Sequence, residues 1–361
     1  MGLDRYLGFH FTENCIFVAE AFIGRGGRIG WDILRQANYE LPPEWLPLFQ
    51  TGIPNFFDTE NSLYGFAALP AIWRGFSWNR FIRFDFRFFE TALKKGLSDE
   101  SRTRLARLFR YCQVYHIHPQ PDEQLHAVAV FERLNRTQCD EILDILKRQV
   151  SSEARISFVG TADTEEACLQ YLWYEYEGAP ETLELKDKRV LLVDLGYDRT
   201  IMTPWDKAET VEPNVQAPGM RQLDEAVARY AGRLGFGRTI GMDELMLYAQ
   251  RARRAFVPGQ SEASIVNRLI PSTEYVAVIR EQANEIAVRL GEVTRPHARK
   301  HPLDEILLVG EGTAFSPIID TLQAAHWNVP MRVLDEPVFA VAKGAAAYCW
   351  ELINSKQEER Q

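Results

Sequence analysis

The sequence predicts an α/β protein of two lobes, each a mixed β-sheet flanked by helices, with a small-ligand cleft between them. Three observations predict it. A β-meander followed by alternating strand and helix patterns starts near residue 6 and starts again near residue 189. A charged stretch containing Gly178 and Pro180 separates the two copies. The chain has 361 residues, enough for two lobes, and its 46% apolar and 25% charged residues are ordinary for a globular protein.

Residues 6–22 read as two apolar strands broken at Thr12-Glu13-Asn14, followed by the turn Gly24-Arg25-Gly26-Gly27 and a third strand near 29–35. Ten of the 21 Phe fall between Phe49 and Phe89, among prolines from Pro42 to Pro70 that exclude a long helix. An insertion at about 40–95 with an aromatic core is the expectation; a partner-binding surface is the alternative. From Ser98 a helix runs to about 110. His116-Ile117-His118 alternates as on a strand, and no downstream Cys/His pair completes a metal site. Leu125–Phe131 is a strand, Asn135–Lys147 an amphipathic helix, Ile156–Gly160 a strand and Thr164–Tyr176 a helix.

In the second half, Arg189–Asp194 is a strand and Gly196-Tyr197-Asp198 a turn into a further strand through Pro204. Helices follow at about 220–234 and 242–256, then a short strand at Ile265–Ile270 and a long helix from Pro271 to about Leu290. Ile306–Gly310 is a buried strand, with a helix from Ser316, a strand near 331–334 and a final helix from Pro337 to about Ile353. The expected organisation is lobe I at 1–187, lobe II at 188–336, a helix at 337–354 returning to lobe I, and a frayed tail at 355–361.

With 41 Lys and Arg against 50 Asp and Glu, the net charge is −9, which argues against direct nucleic-acid binding. Five separated cysteines without a C-x-x-C pair suit a reduced, cytoplasmic protein, and no apolar run is long enough to span a membrane. There is no P-loop, and Gly235-Phe-Gly237 follows no strand, so it fails as a dinucleotide site.

The informative segment is Val190–Thr200. A buried strand delivers Asp194 to a turn holding Gly196, Tyr197 and Asp198, and Thr200 leaves on the next strand. Such a turn can wrap a phosphate, and its carboxylate can hold Mg²⁺ through water; an ordinary hairpin is the plainer reading. Gly310-Glu311-Gly312-Thr313 ends a strand and allows a flat ring or ribose to approach the backbone. Gln250, Arg253 and Arg254 offer polar side chains on one helix, or else a solvated basic face. Gly344-Ala-Ala-Ala permits close helix packing.

On these segments the chain resembles the actin and DnaK-type chaperone ATPase superfamily, over most of residues 125–350. The 194–200 hairpin resembles the second phosphate loop, Gly310–Ala314 the adenosine loop, Pro337–Ala346 the second connecting helix, and Ala217-Pro-Gly219 the segment after the second-lobe sheet. Gln250–Arg254 looks like the adenine-clamping helix of DnaK-type chaperones. The resemblance implies an actin-like ATPase fold, ATP and Mg²⁺ as ligands, Asp194 as the metal-associated carboxylate, and Asp163 as the water-orienting base. Arg253 and Arg254 would flank adenine, with Gly310 and Gly312 beneath it. The first phosphate loop would be Gly8-Phe-His10-Phe-Thr12-Glu13-Asn14. It departs from the family: His10 stands where a metal-associated Asp is expected, Thr12 replaces a turn glycine, and Glu13 adds negative charge where a phosphate would approach. The expected function is therefore an ATP-binding, DnaK-like protein without a substrate-binding domain, closing its lobes on a protein partner with slow or absent hydrolysis. A self-associating, filament-forming actin and a pseudo-ATPase scaffold are the alternatives.

Overall fold

The computed structural model describes residues 3–13, 15–24, 29–34, 52–68, 81–132, 134–176, 188–206, 209–210, 215–236, 240–266, 268–300, 303–325 and 329–358. The protein is a mixed α/β chain that divides into two compact units. Described residues before 178 and after 338 form one, and those from 188 to 338 the other. No described helix is long and apolar enough to cross a membrane.

The first unit opens with β1 (Asp4–Phe11), β2 (Cys15–Ile23), β3 (Ile29–Ile33) and the short β4 (Ile53–Pro54). A small sheet follows, made of β5 (Phe56–Asp58), β6 (Leu63–Tyr64) and β7 (Phe81–Arg83), then helices α1 (Phe86–Lys95) and α2 (Asp99–Cys112). Next come β8 (Gln124–Phe131), α3 (Arg136–Ile145), β9 (Ser157–Ala162) and α4 (Thr164–Tyr176). The main sheet runs β3-β2-β1-β8-β9, with β4 on β2; β1 is antiparallel to β2 and parallel to β8, which is parallel to β9.

Alternation along β1 explains its place at the centre. Leu7, Phe9 and Phe11 enter the core cluster that contains Leu105 and Phe109 of α2 and Phe89 of α1. Full burial of each such side chain is worth roughly 1.5–3 kcal/mol. Gly8 and His10 point to the opposite face. The described part of the aromatic insertion packs inward: Phe56, Phe57, Phe66, Phe84 and Phe89 are buried. Its segments 35–51 and 69–80 lie outside the described residues.

The second unit repeats the plan. β10 (Arg189–Leu195), β11 (Arg199–Asp206), β12 (Glu209–Thr210) and β13 (Val215–Pro218) lead to α5 (Met220–Arg233) and α6 (Met242–Arg254). A hairpin of β14 (Glu262–Ile265) and β15 (Arg268–Pro271) precedes α7 (Ser272–Lys300), β16 (Glu305–Val309), α8 (Ser316–Ala324) and β17 (Met331–Val333). The sheet order is β12-β11-β10-β16-β17 with β13 on β11. Order and strand directions match the first unit's sheet, with the central strand antiparallel to its hairpin partner and parallel to the strand on its other side.

The last helix, α9 (Ala340–Glu358), belongs to the first unit and packs on β1, β2, β8 and α4. Its small residues make that approach close. A Cβ at Gly8 would lie 1.9 Å from the Ala342 carbonyl oxygen, and one at Gly344 1.6 Å from that of Ala167. Gly8, expected beside a ligand, is thus where a helix backbone meets the sheet.

Three expected elements differ. The single strand expected at Ile265–Ile270 instead crosses the turn of a hairpin: Ile265 ends β14, Val266 has φ of 50°, and β15 starts at Arg268. The helix expected to stop near Leu290 continues to Lys300, because Leu290 and Val293 carry its apolar stripe onward and Thr294 Oγ1 donates back to the Leu290 carbonyl at 3.0 Å. His116-Ile117-His118 is not a strand but the end of a helical turn, Gln113–Ile117, that extends α2. His116 is buried against the Phe66 and Tyr111 rings.

Candidate functional site

β10 ends in a hairpin whose turn is fastened to α5. Asp194, two residues before the turn, is 6% exposed and pairs in register with Ile201 and Val309. The N–H groups of Met220 and Arg221 donate to the carbonyls of Gly196 and Tyr197 at 3.1 and 2.7 Å, so the first turn of α5 is satisfied by the hairpin. Gly219 is required for that fit, since a Cβ there would lie 2.4 Å from the Tyr197 carbonyl oxygen. Thr200 donates its hydroxyl to the Pro218 carbonyl at 2.8 Å, and Asp198 faces Arg221 at 3.5 Å.

Beside this hairpin lies a buried ion cluster. Arg253 Nε and Nη2 donate to the two Asp224 oxygens at 2.9 and 3.0 Å, and Nη2 also reaches Glu311 Oε1 at 2.8 Å. Arg254 Nη2 donates to Glu311 Oε2 at 2.5 Å. Arg253 is 1% exposed, with its guanidinium 5.9 Å from the Tyr197 ring centre. Burial pushes the Asp224 carboxyl above its ordinary value against the pull of Arg253. Burial also opposes ionisation of Glu311, but Arg254 and Arg253 outweigh it and hold that carboxyl below the usual range.

This arrangement corrects two expectations. Arg253 forms no solvated basic face, because it is 1% exposed and its Nε and Nη2 donate to Asp224 and Glu311. Gln250, on the same helix, is also buried. Gly310 and Gly312 press against protein rather than opening toward a ring. With φ of 89°, Gly310 allows the Asp194 carboxylate to lie against it, a Cβ there falling 2.3 Å from Asp194 Oδ1; a Cβ at Gly312 would meet Leu195 and Met220 at 2.8 Å. Thr313 turns its hydroxyl back to the Gly310 carbonyl at 2.6 Å.

The corresponding edge of the first unit carries the β1–β2 turn. The Thr12 N–H and hydroxyl both donate to the Cys15 carbonyl, at 2.9 and 3.0 Å. Fully buried Asn55 donates through Nδ2 to the carbonyls of Thr12, Glu13 and Phe84. Glu13 Oε1 accepts from Arg83 at 3.4 Å, so the charge expected to repel a phosphate has a cationic partner. His10 Nε2 lies 3.5 Å from Glu132 Oε1. Asp163 Oδ1 accepts the Glu166 N–H at 2.8 Å and caps α4. Asn14 lies outside the described residues.

No protein-family model and no curated protein matches this chain.

The second unit thus brings Asp194, Gly196, Tyr197, Asp198, Gly219 and Gly310 around one hairpin, while His10, Thr12, Glu13 and Asp163 sit at the matching edge of the first unit's sheet. Sequence reasoning misses Asp224, Glu311, Asn55 and Arg83. Asp224 and Arg253 are 29 residues apart and Glu311 is 58 residues beyond Arg253, so no periodicity links them. Asp163 did carry a signal: Asp163-Thr-Glu-Glu166 has the spacing of a helix N-terminus with an acidic third position.

Proposed function

We propose that this chain is a nucleotide-binding protein of the two-lobed actin and DnaK-type architecture. It takes Mg·ATP, turns it over slowly or not at all, and acts on a protein partner. The repeated sheet carries this reading. In each unit the central strand leads through a hairpin into its antiparallel neighbour and runs parallel to a later strand. Asp194 is the last residue but one of the second central strand, at the carboxyl edge where open α/β sheets take ligands. Asp194 would hold Mg²⁺ through water. The fit is partial: among the described residues no group of three or more His, Cys, Asp or Glu could hold a metal, so the triphosphate would supply the other ligands. Slow turnover follows from His10 in place of a carboxylate and from Asp163 serving as a helix cap.

A scaffold that has lost its nucleotide is the second reading, favoured by the commitment of Arg253 to Asp224 and Glu311. Thermal unfolding with Mg·ATP separates the two. Nucleotide binding raises the melting temperature by about 5–10 °C at roughly a hundredfold excess over Kd, and Asp194→Ala abolishes the rise. An unchanged melting temperature at millimolar Mg·ATP selects the scaffold.

A further inference from the structure

In the first unit a cavity of about 610 Å³ opens beside the end of α2 and is lined by Arg110, His118 and Arg155, with Val114, Pro121 and Leu125 among its apolar walls. His118 and Arg155 both have left-handed backbones, with φ of 49° and 55°. Each ends a helical turn at a position that glycine ordinarily fills, because an L side chain there is strained. Two such residues, both bearing basic side chains, line the same cavity, and strain retained at a shared site points to function.

The cavity is built around one buried polar side chain. Gln113 is 1% exposed. Its Nε2 donates to the carbonyls of Ala154 and Arg155 at 2.6 and 3.1 Å, its Oε1 accepts from Arg110 Nη1 at 2.7 Å, and its own carbonyl accepts the His118 N–H at 2.8 Å. One residue thereby fixes the segments that carry all three basic groups. The acid in the lining, Glu123, is already taken by Arg5 Nη1 at 3.0 Å and by the Gln120 N–H at 2.8 Å. In a chain of net charge −9, this leaves a concave site with two guanidinium groups and an imidazole against an apolar wall.

We propose that this cavity binds a small organic oxyanion, a phosphate monoester or carboxylate head on an apolar body. The guanidinium groups of Arg110 and Arg155 hold the head, since planar guanidinium forks match such oxyanions, and Val114 and Leu125 receive the body. The site is independent of the nucleotide reading and uses none of its residues.

Isothermal titration of the full chain with phenyl phosphate, benzoate and inorganic phosphate tests it. Phenyl phosphate or benzoate binds with one-to-one saturation, and the better of the two binds at least about tenfold more tightly than inorganic phosphate, reflecting the apolar wall. The Arg110→Gln/Arg155→Gly double variant weakens that binding by about tenfold or more. Glycine adopts the backbone of residue 155 without strain, and circular dichroism checks that the variant is folded; Arg110→Gln alone serves as the second variant. Equal binding by wild type and Arg110→Gln, no advantage over inorganic phosphate, or no binding of either organic probe up to about 10 mM overturns the proposal.

Discussion

Arg253 neutralises two carboxylates that are themselves withdrawn from water, so its value lies in what its removal would leave behind. Arg253→Met strands Asp224 entirely and leaves Glu311 with Arg254 alone, at a cost of about 3–5 kcal/mol, read as a lower urea midpoint. The pH dependence has a definite sign. A buried carboxyl whose folded pKa exceeds its unfolded value keeps a proton that the unfolded chain releases, so stability falls as pH rises above the ordinary Asp range. The variant should therefore be closest to wild type near pH 5 and furthest from it near pH 8. His116 works the other way. Burial between aromatic rings lowers its pKa to about 4 from 6.5. The unfolded chain takes the proton first, so the stability held above pH 6.5 is lost as pH falls toward 4, by at most about 3 kcal/mol. His116→Phe should flatten the acid limb of a stability–pH curve; an unchanged limb would show that His116 does not titrate as described. Neither shift is visible in the sequence, because burial is a property of a group's neighbours.

Among the helices, glycine divides by what stands opposite it. Gly344 faces the Ala167 carbonyl at 1.6 Å from an added Cβ, whereas a Cβ at Gly232 meets only Leu245 Cδ1 at 3.8 Å. Helix propensity alone favours Ala at both sites by about 1 kcal/mol. We expect Gly232→Ala to gain up to that amount and Gly344→Ala to lose about 3 kcal/mol or more through overpacking against backbone, both measured by chemical denaturation. Close packing there is legible in the sequence, since Gly344-Ala-Ala-Ala on an apolar helix has few other uses. Central strands are equally legible: the apolar runs of β1, β8, β10 and β16 stand between clear turn signals. Elements bounded by weaker marks are less so. Val266 turns the 262–271 hairpin with a left-handed backbone that a β-branched residue gives no reason to expect, and α7 runs through Gly291, which reads as a stop. At the site the hairpin is legible because its residues are contiguous. The ion cluster is not, because three distant segments meet only through tertiary packing.

Across the whole molecule, the same strand order recurs in two units whose chain paths differ in one respect. The described residues of the second unit all fall between 188 and 338, whereas the first unit is completed by α9, which follows all of them. During synthesis, the strands of the first sheet are made first and their covering helix last. At about 5–20 residues per second, the more than 160 residues between α4 and α9 take roughly 10–30 s to add. Throughout that interval the face of β1 that carries Gly8 lacks α9, while every strand and helix of the later unit is made before α9. Limited proteolysis of a released chain truncated before α9, beside the full chain, should show β1 and β8 cut readily in the truncated chain and protected in the full one, with α5–α7 resistant in both. The order of protection along the chain would then run opposite to the order of translation, and a chaperone that holds the nascent first unit would matter more to yield than one that acts after release.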